Sequence, residues 1–298
     1  MKPPPFTYHA PADVDEALAA LDDLGEEGKV LAGGQSLIPL LNMRLAVPAH
    51  LVDISRIAAL DAIDVTADVV TVGAAVRHTT LEHHDDAAHA VPLLRQALRH
   101  VAHPVIRNRG TVCGSIAHAD PAGELTAVLA LLGGTVRVAR RGTDARDVAA
   151  RDFFVAPLES SLRPGELVTS ARFPRPSPGT GSAFVELARR HGDYALCGIA
   201  ATVTLDDDGA VADARVGAIS IHPTPLVVEC AEALAGRPPD ADAVHAAGEL
   251  VDAASEPAPD LHATVMYRRQ LTRVLTGRAI AAAAAHAAER RGDGADDG

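Results

Sequence analysis

The chain has 298 residues, with 27 Lys plus Arg against 39 Asp plus Glu and a formal charge of −12; the length suggests two domains, and the acidic balance argues against a protein that neutralises phosphate backbones. Hydrophobic residues make up 48% of the chain, but much of that is scattered alanine, and no run of about 20 apolar residues offers a membrane span. Neither nucleic acid nor a membrane is an expected partner.

The N-terminus has one lysine, then prolines and acids, and lacks the apolar core of a secretory signal, so a soluble, cytoplasmic protein is expected. Asp13 with Glu16 resembles a capping box, and Val14, Ala17, Leu18 and Leu21 follow at helical spacing up to Gly25. Residues 29–34 read as a short strand cut off by paired glycines, and 36–41 as a short helix. Residues 51–55 and 69–76 read as strands, and the Thr79-Thr80 pair as the cap of a helix from near Leu81. A second helix is expected from about Val91 to Val101, with Pro104 ending it.

Val105 to His118 is rich in β-branched residues and glycines, Glu124 to Leu132 is helical up to Gly133-Gly134, and 135–139 and 166–173 read as strands. The Pro/Gly/Ser stretch 174–181 is the best linker candidate. Beyond it, 182–188, 195–205 and 210–221 read as an antiparallel meander with a turn at 206–209. Residues 226–236, 242–254 and about 261–290 then read as three helices. Strands first and helices after is an α+β pattern. The expected division is 1–176 and 177–290, with 291–298 as a mobile tail.

Two segments stand out, Ala32-Gly33-Gly34-Gln35-Ser36 and Thr111-Val112-Cys113-Gly114-Ser115. Each puts glycine and a small hydroxyl residue where the chain turns after an apolar run, leaving backbone N–H groups uncovered for an anion such as a pyrophosphate. Taken singly, double glycines also simply make loops. Neither segment has the spacing of G-x-G-x-x-G or of a P-loop, which disfavours a Rossmann cofactor and a nucleoside triphosphatase. After the second segment, Asp120 and Glu124 suit a helix N-terminus by their charge, or offer acceptors to ribose hydroxyls or an adenine amine. His118 lies beside them without a visible partner for general base work. His83, His84, Asp85, Asp86 and His89 read as a solvated polar surface, no metal site is expected, and no catalytic set is certified by spacing.

K-V-L-A-G-G-Q-S-L (29–37) together with T-V-C-G-S-I-A-H-A-D-P-A-G-E-L (111–125) resembles the FAD-binding medium subunit of molybdenum hydroxylases, a group that includes carbon monoxide dehydrogenase and the xanthine dehydrogenase family. Residues 6–18, the R-N-R-G-T lead-in at 107–111 and G-E-L-V-T-S-A-R-F-P at 165–174 extend the likeness over nearly the whole chain. The resemblance implies a two-lobed FAD-binding domain of the vanillyl-alcohol-oxidase type, followed by a smaller domain of a three-stranded antiparallel sheet and helices. It implies that Ala32, Gly33, Gly34, Gln35 and Ser36, with Leu37 after them, and Thr111, Cys113, Gly114 and Ser115 wrap the FAD pyrophosphate. Lys29 would compensate phosphate charge, His118, Asp120 and Glu124 would contact the cofactor, and Leu167 or Val168 and the region around Tyr194 would lie near the flavin ring. Gln35 stands where the family often has His, and Cys113 where it often has Gly; Cys113 reads as an inert small filler.

Three cysteines, Cys113, Cys197 and Cys230, form no C-x-x-C pair, so neither a disulfide framework, a zinc ribbon nor an iron–sulfur cluster is expected in this chain. By the resemblance, 2Fe–2S clusters sit on an iron–sulfur small subunit and molybdopterin on a large subunit, assembled as a dimer of heterotrimers. The implied function is electron transfer through FAD to an external acceptor. A stand-alone flavin oxidase or reductase and a cofactor-free interaction protein are the alternatives.

Overall fold

A computed structural model describes residues 2–295. The first lobe is a parallel three-stranded sheet of β1 (Thr7–His9), β2 (Gly28–Leu31) and β3 (His50–Asp53), in the order β1-β3-β2. Parallel neighbours need crossovers, and α1 (Val14–Leu24) and α2 (Leu37–Met43) supply helices for them. Asp13 caps α1 by accepting the Glu16 N–H at 2.8 Å, Glu16 accepts the Ala12 N–H at 2.9 Å, and Ala17, Leu18 and Leu21 turn inward.

The second lobe is an antiparallel sheet in the order β4-β5-β10-β6-β7, made of β4 (Ile63–Val65), β5 (Val69–Gly73), β6 (Thr135–Arg140), β7 (Arg146–Ala149) and β10 (Glu166–Pro174). Between β5 and β6 run α3 (His78–Glu82), α4 (Asp85–Ala90), α5 (Pro92–Leu98), α6 (Pro104–Arg107), α7 (Val112–His118) and α8 (Glu124–Leu131). After β7, α9 (Ala150–Phe153) and the hairpin β8 (Phe154–Ala156) and β9 (Glu159–Ser160) lead back to β10.

The chain then folds into the meander β11 (Thr180–Ala188), β12 (Ala195–Leu205), β13 (Val211–Ile219) and β14 (Leu226–Glu229), followed by α10 (Ala231–Leu234), α11 (Ala241–Ala254) and α12 (Val265–Ala295). β12 is apolar on both faces from Ala195 to Ala201 because both faces are covered: Ala200 joins the core beneath α8, whereas Ile199, Ala201 and Val203 join the core under α11 and α12. The buried guanidinium of Arg268 pins α12 to the sheet by donating to the Leu196 and Ser220 carbonyls at 2.6 and 2.9 Å and to Asp260 at 2.6 Å.

Several local expectations need correction. Thr79 and Thr80 lie inside α3 and cap nothing, because the Arg77–Thr111 bridge holds the chain extended and the helix starts at once after it. The expected helix from Val91 to Val101 is only α5, and Pro104 begins α6, where its missing N–H removes no helical bond. Residues 226–229 form an edge strand, since Val227 and Val228 pair with β13, so the sheet has four strands where three were implied. Residues 291–295, expected to be a mobile tail, continue α12, and 296–298 lie outside the described residues. No helix among the described residues is long and apolar enough to cross a membrane.

Candidate functional site

Leaving β2, the first glycine segment turns through Gly34, whose φ of +74° suits a residue without Cβ. Gln35 Nε2 donates back to the Gly33 carbonyl at 3.2 Å, Ser36 takes the N-cap position of α2 without a side-chain cap bond, and Leu37 opens the helix. A Cβ on Gly33 would strike the Arg109 carbonyl oxygen and come within 2.7 Å of Gly110 Cα, so only glycine lets these two backbones touch. Gly110 runs straight into Thr111, which brings the two glycine segments together.

The second segment is not the open turn that its composition suggests but the first turn of α7. Thr111 is the N-cap, and its Oγ1 accepts the Gly114 N–H at 3.1 Å. Val112 and Cys113 face the core, where the Cys113 thiol donates to the Val72 carbonyl at 3.4 Å and burial pushes it up to about 12. Ser115 stays half-buried, with Oγ 3.0 Å from His78 Nε2.

A cleft of about 340 Å³ opens along the first segment and is walled by Asp53, Ser55, Ile106 and Arg109. Ligand sites span roughly 300–1,000 Å³, so this volume suits one part of a dinucleotide and not the whole. Its lining carries one cation and one carboxylate, Arg109 and Asp53, with Arg77 next to it. The Arg77 guanidinium donates to the Arg109 carbonyl; burial and the charge of Arg109 hold Arg77 below its usual range. Burial works against ionisation of Asp53, but the Tyr8 hydroxyl at 2.6 Å and the Ser55 N–H at 2.9 Å, with Arg56 nearby, outweigh it and hold the carboxyl below the usual carboxylate range.

A second group gathers where α7 ends, about 10 Å along the helix from its start at 1.5 Å per residue. His118 Nε2 lies 4.0 Å from Asp120 Oδ2, while Asp120 Oδ1 accepts the Ala122 N–H at 2.9 Å. Glu124 keeps part of its surface exposed, yet burial by the surrounding chain, with the charge of Asp120, pushes its carboxyl up to about 7. Glu186 on β11 was not foreseen. Its Oε2 is buried without a partner, and burial followed by the charge of Glu124 pushes the carboxyl up to about 8. Tyr194 remains 71% exposed; the protein packed around it, then the charges of Asp120 and Glu124, raise its phenol.

Three predicted residues stand apart. Lys29 is exposed on β2 and does not line the cleft, and Cys113 on α7 and Leu167 on β10 are sealed in the core. Conversely, sequence reasoning missed Arg109, Arg77, His78, Asp53 and Glu186. The R-N-R-G-T lead-in contained the signal for Arg109; for Glu186, one acid in an otherwise apolar strand, there was none. In the His/Asp-rich segment, His84 Nδ1 accepts the Ala87 N–H and Asp85 pairs with Arg95, so those groups serve α4.

Residues 4–176 match the FAD binding domain in molybdopterin dehydrogenase, and 182–283 match the CO dehydrogenase flavoprotein C-terminal domain. The chain is 38% identical to the 6-hydroxypseudooxynicotine dehydrogenase complex subunit alpha of Paenarthrobacter nicotinovorans, over 95% of this chain and 96% of that one. It is 36% identical to the carbon monoxide dehydrogenase medium chain of Afipia carboxidovorans, over 96% of this chain and 99% of that one. A solved carbon monoxide dehydrogenase from Hydrogenophaga pseudoflava superposes with a TM-score of 0.91 at 36% identity, covering 96% of this chain and 99% of that one. With family matches over both halves and relatives covered almost end to end, the chain belongs to the family whose FAD binding domain in molybdopterin dehydrogenase is followed by a CO dehydrogenase flavoprotein C-terminal domain.

Proposed function

We propose that the chain is the FAD-binding electron-transfer subunit of a molybdenum-containing hydroxylase or dehydrogenase complex, an oxidoreductase subunit that works with partner subunits. The observation that carries this reading is the seat of Gly33 on Arg109 and Gly110, which sets the first glycine segment against residues 106–109 along one cleft. A diphosphate needs converging donors and close backbone approach; the turn at 32–36 and the Arg109 side chain line the cleft, and Ser115 at the start of α7 adds a half-buried hydroxyl. At the far end of α7, His118, Asp120, Glu124 and Tyr194 serve the remainder of the cofactor. Lys29, Cys113 and Leu167 are left out of this assignment by their positions. Bound FAD supplies the two-electron chemistry.

In the full proposal an iron–sulfur small subunit delivers electrons and a molybdopterin large subunit oxidises the substrate. The assembly is a dimer of heterotrimers in the cytoplasm, and within this chain residues 1–176 hold the flavin while 177–290 form the second domain. The test is to purify the full chain, alone and with co-expressed partners, and to record its visible spectrum after addition of FAD. Flavin bands that persist through gel filtration, with substrate oxidation only when both partners are present, are expected. A colourless protein would point to the cofactor-free alternative, and turnover by the chain alone to a self-sufficient oxidase.

A further inference from the structure

Residues 189–194 join β11 to β12 and carry Tyr194 to the acids at the end of α7. Within this loop Asp193 accepts from Arg189 Nε at 3.4 Å and from Arg190 Nε and Nη2 at 3.1 and 3.3 Å, and its N–H donates to the Arg190 carbonyl at 3.1 Å. Those bonds shape the loop without tying it to anything outside. An imidazole from the first half of the chain does that. Gly192, at a φ of +83°, lies so close to the ring of His103 that a Cβ there would come within 2.6 Å of Cε1, and the His191 ring meets the same imidazole edge-on with centroids 5.6 Å apart.

His103 is itself held fast. It is the N-cap residue of α6, and its carbonyl accepts the Ile106 and Arg107 N–H groups at 2.8 and 3.1 Å. Ala102 before it takes a left-handed φ of +44°, which a residue with a Cβ keeps only where its surroundings over-determine it. Arg107 does so: its guanidinium donates to the Val101 and Ala102 carbonyls at 3.0 and 3.2 Å, and the nearly buried Glu82 carboxylate pairs with it at 2.7 Å. A surface imidazole has no need of such an anchor for its own sake. The anchor makes sense if the ring has something to hold.

What it holds stands two residues past Gly192. Tyr194 feels the charges of Asp120 and Glu124 and is 71% exposed, so its position follows that of the loop. We propose that His103 is a positioning residue: its ring seats Gly192 and thereby keeps Tyr194 beside Asp120 and Glu124, where the flavin reading above puts the part of the cofactor beyond the diphosphate. The ligand is taken from that reading, whereas the seat rests on the contact alone. Gly192 is the complementary half, since a side chain there would push the loop off the ring.

The test has two arms on the full chain. In the first, Tyr8→Phe and Tyr267→Phe leave Tyr194 as the remaining tyrosine of the three, and its ionisation is followed by ultraviolet absorbance without added FAD. The phenol is expected to ionise above the ordinary value of about 10. His103→Ala, which removes the seat, and Gly192→Ala, which puts a methyl group against it, should each bring the phenol back toward that value, and His103→Phe, which keeps a flat ring, should retain the raised one. Ionisation at about 10 in the reference chain, or no change in His103→Ala and Gly192→Ala, overturns the proposal. In the second arm FAD is added to chains that keep all three tyrosines. A phenol against a flavin quenches its emission, so the bound flavin should be dim and should lose that quenching alike in Tyr194→Leu, in His103→Ala and in the double variant. Emission unchanged in either single variant overturns the proposal as well. A wild-type chain that takes up no FAD removes the flavin reading and with it the ligand, and the tyrosine titration then decides the seat by itself.

Discussion

The two glycine segments look alike in composition and work by different physics. The first is a true turn, in which Gly34 takes a left-handed φ and Gly33 is pressed against another stretch of backbone, with few side chains in the way. The second is a helix start that satisfies itself: Thr111 accepts the Gly114 N–H, Cys113 fills the core and Ser115 is backed by a buried histidine. One segment offers bare main chain and the other a half-buried hydroxyl held against a histidine ring. Glycine in the first is a steric necessity; in the second the side chains carry the design.

The sharpest way to break that contrast is Gly33→Ala. Its methyl group has nowhere to go but into the Arg109 carbonyl, so the turn must shift. Strain of about 1–3 kcal/mol in stability is expected, together with a loss of FAD affinity on the order of 100-fold, equivalent to about 2.7 kcal/mol. Wild-type melting and wild-type FAD titration in this variant would refute the backbone contact.

Arg109→Gln should leave the fold intact, since its carbonyl still receives Arg77, and remove the one cleft cation named above. A charge-assisted bond contributes about 1.5–3 kcal/mol, so FAD affinity should drop about tenfold or more at low salt, and the gap should narrow at high salt. An affinity equal to wild type at every ionic strength would mean that the side chain serves something else.

The acids at the end of α7 and the histidine at its start pull stability in opposite directions with pH. Folded Glu124 and Glu186 hold their protons up to about 7 and about 8, against 4.5 when unfolded, so they favour the fold fully below that value and their contribution is lost as pH rises to about 8. For His78, about 4 when folded and 6.5 when unfolded, the unfolded chain takes up the proton first, and stability is lost as pH falls from 6.5 to 4. Two carboxyls outweigh one imidazole, so from these groups melting temperature should fall as pH rises from about 4 to about 8, with His78 offsetting part of the change below 6.5. Glu186→Gln should flatten that fall and His78→Phe should steepen it between 4 and 6.5; an unchanged slope in either would contradict the assignment.

The smallest effect expected is at Cys113. All three cysteines are buried, and burial pushes the Cys113 thiol up to about 12. The folded chain should resist alkylation by iodoacetamide. Cys113→Ala should cost about 1 kcal/mol in stability without changing FAD affinity. Rapid modification of Cys113 in the folded chain would show that it is no inert filler.

What could be read directly from the chain was local. Asp13 and Glu16 announced the cap of α1, alternation and the Asp206–Gly209 turn announced the meander, and Gly33-Gly34 marked the turn that lines the cleft. Where local signals competed, reading failed: Val227 and Val228 sit in a helix-like run but are captured by the open edge of β13, and Pro104 starts a helix instead of stopping one. The glycine-rich stretch at 111–115 became a helix because Thr111 could cap it and Cys113 could be buried, neither of which composition weighs.

Sequence alone determined which short stretches were free of bulky side chains, because the absence of a Cβ is a property of the residue itself. Tertiary structure alone decided that Gly33 rests on Gly110, that His78 stands behind Ser115 and that Glu186 faces Glu124. Those pairings join positions far apart in the chain. They arise because burying the two cores brings the strands and helices that carry them side by side, and no periodicity within a single segment encodes what another segment will bring to meet it.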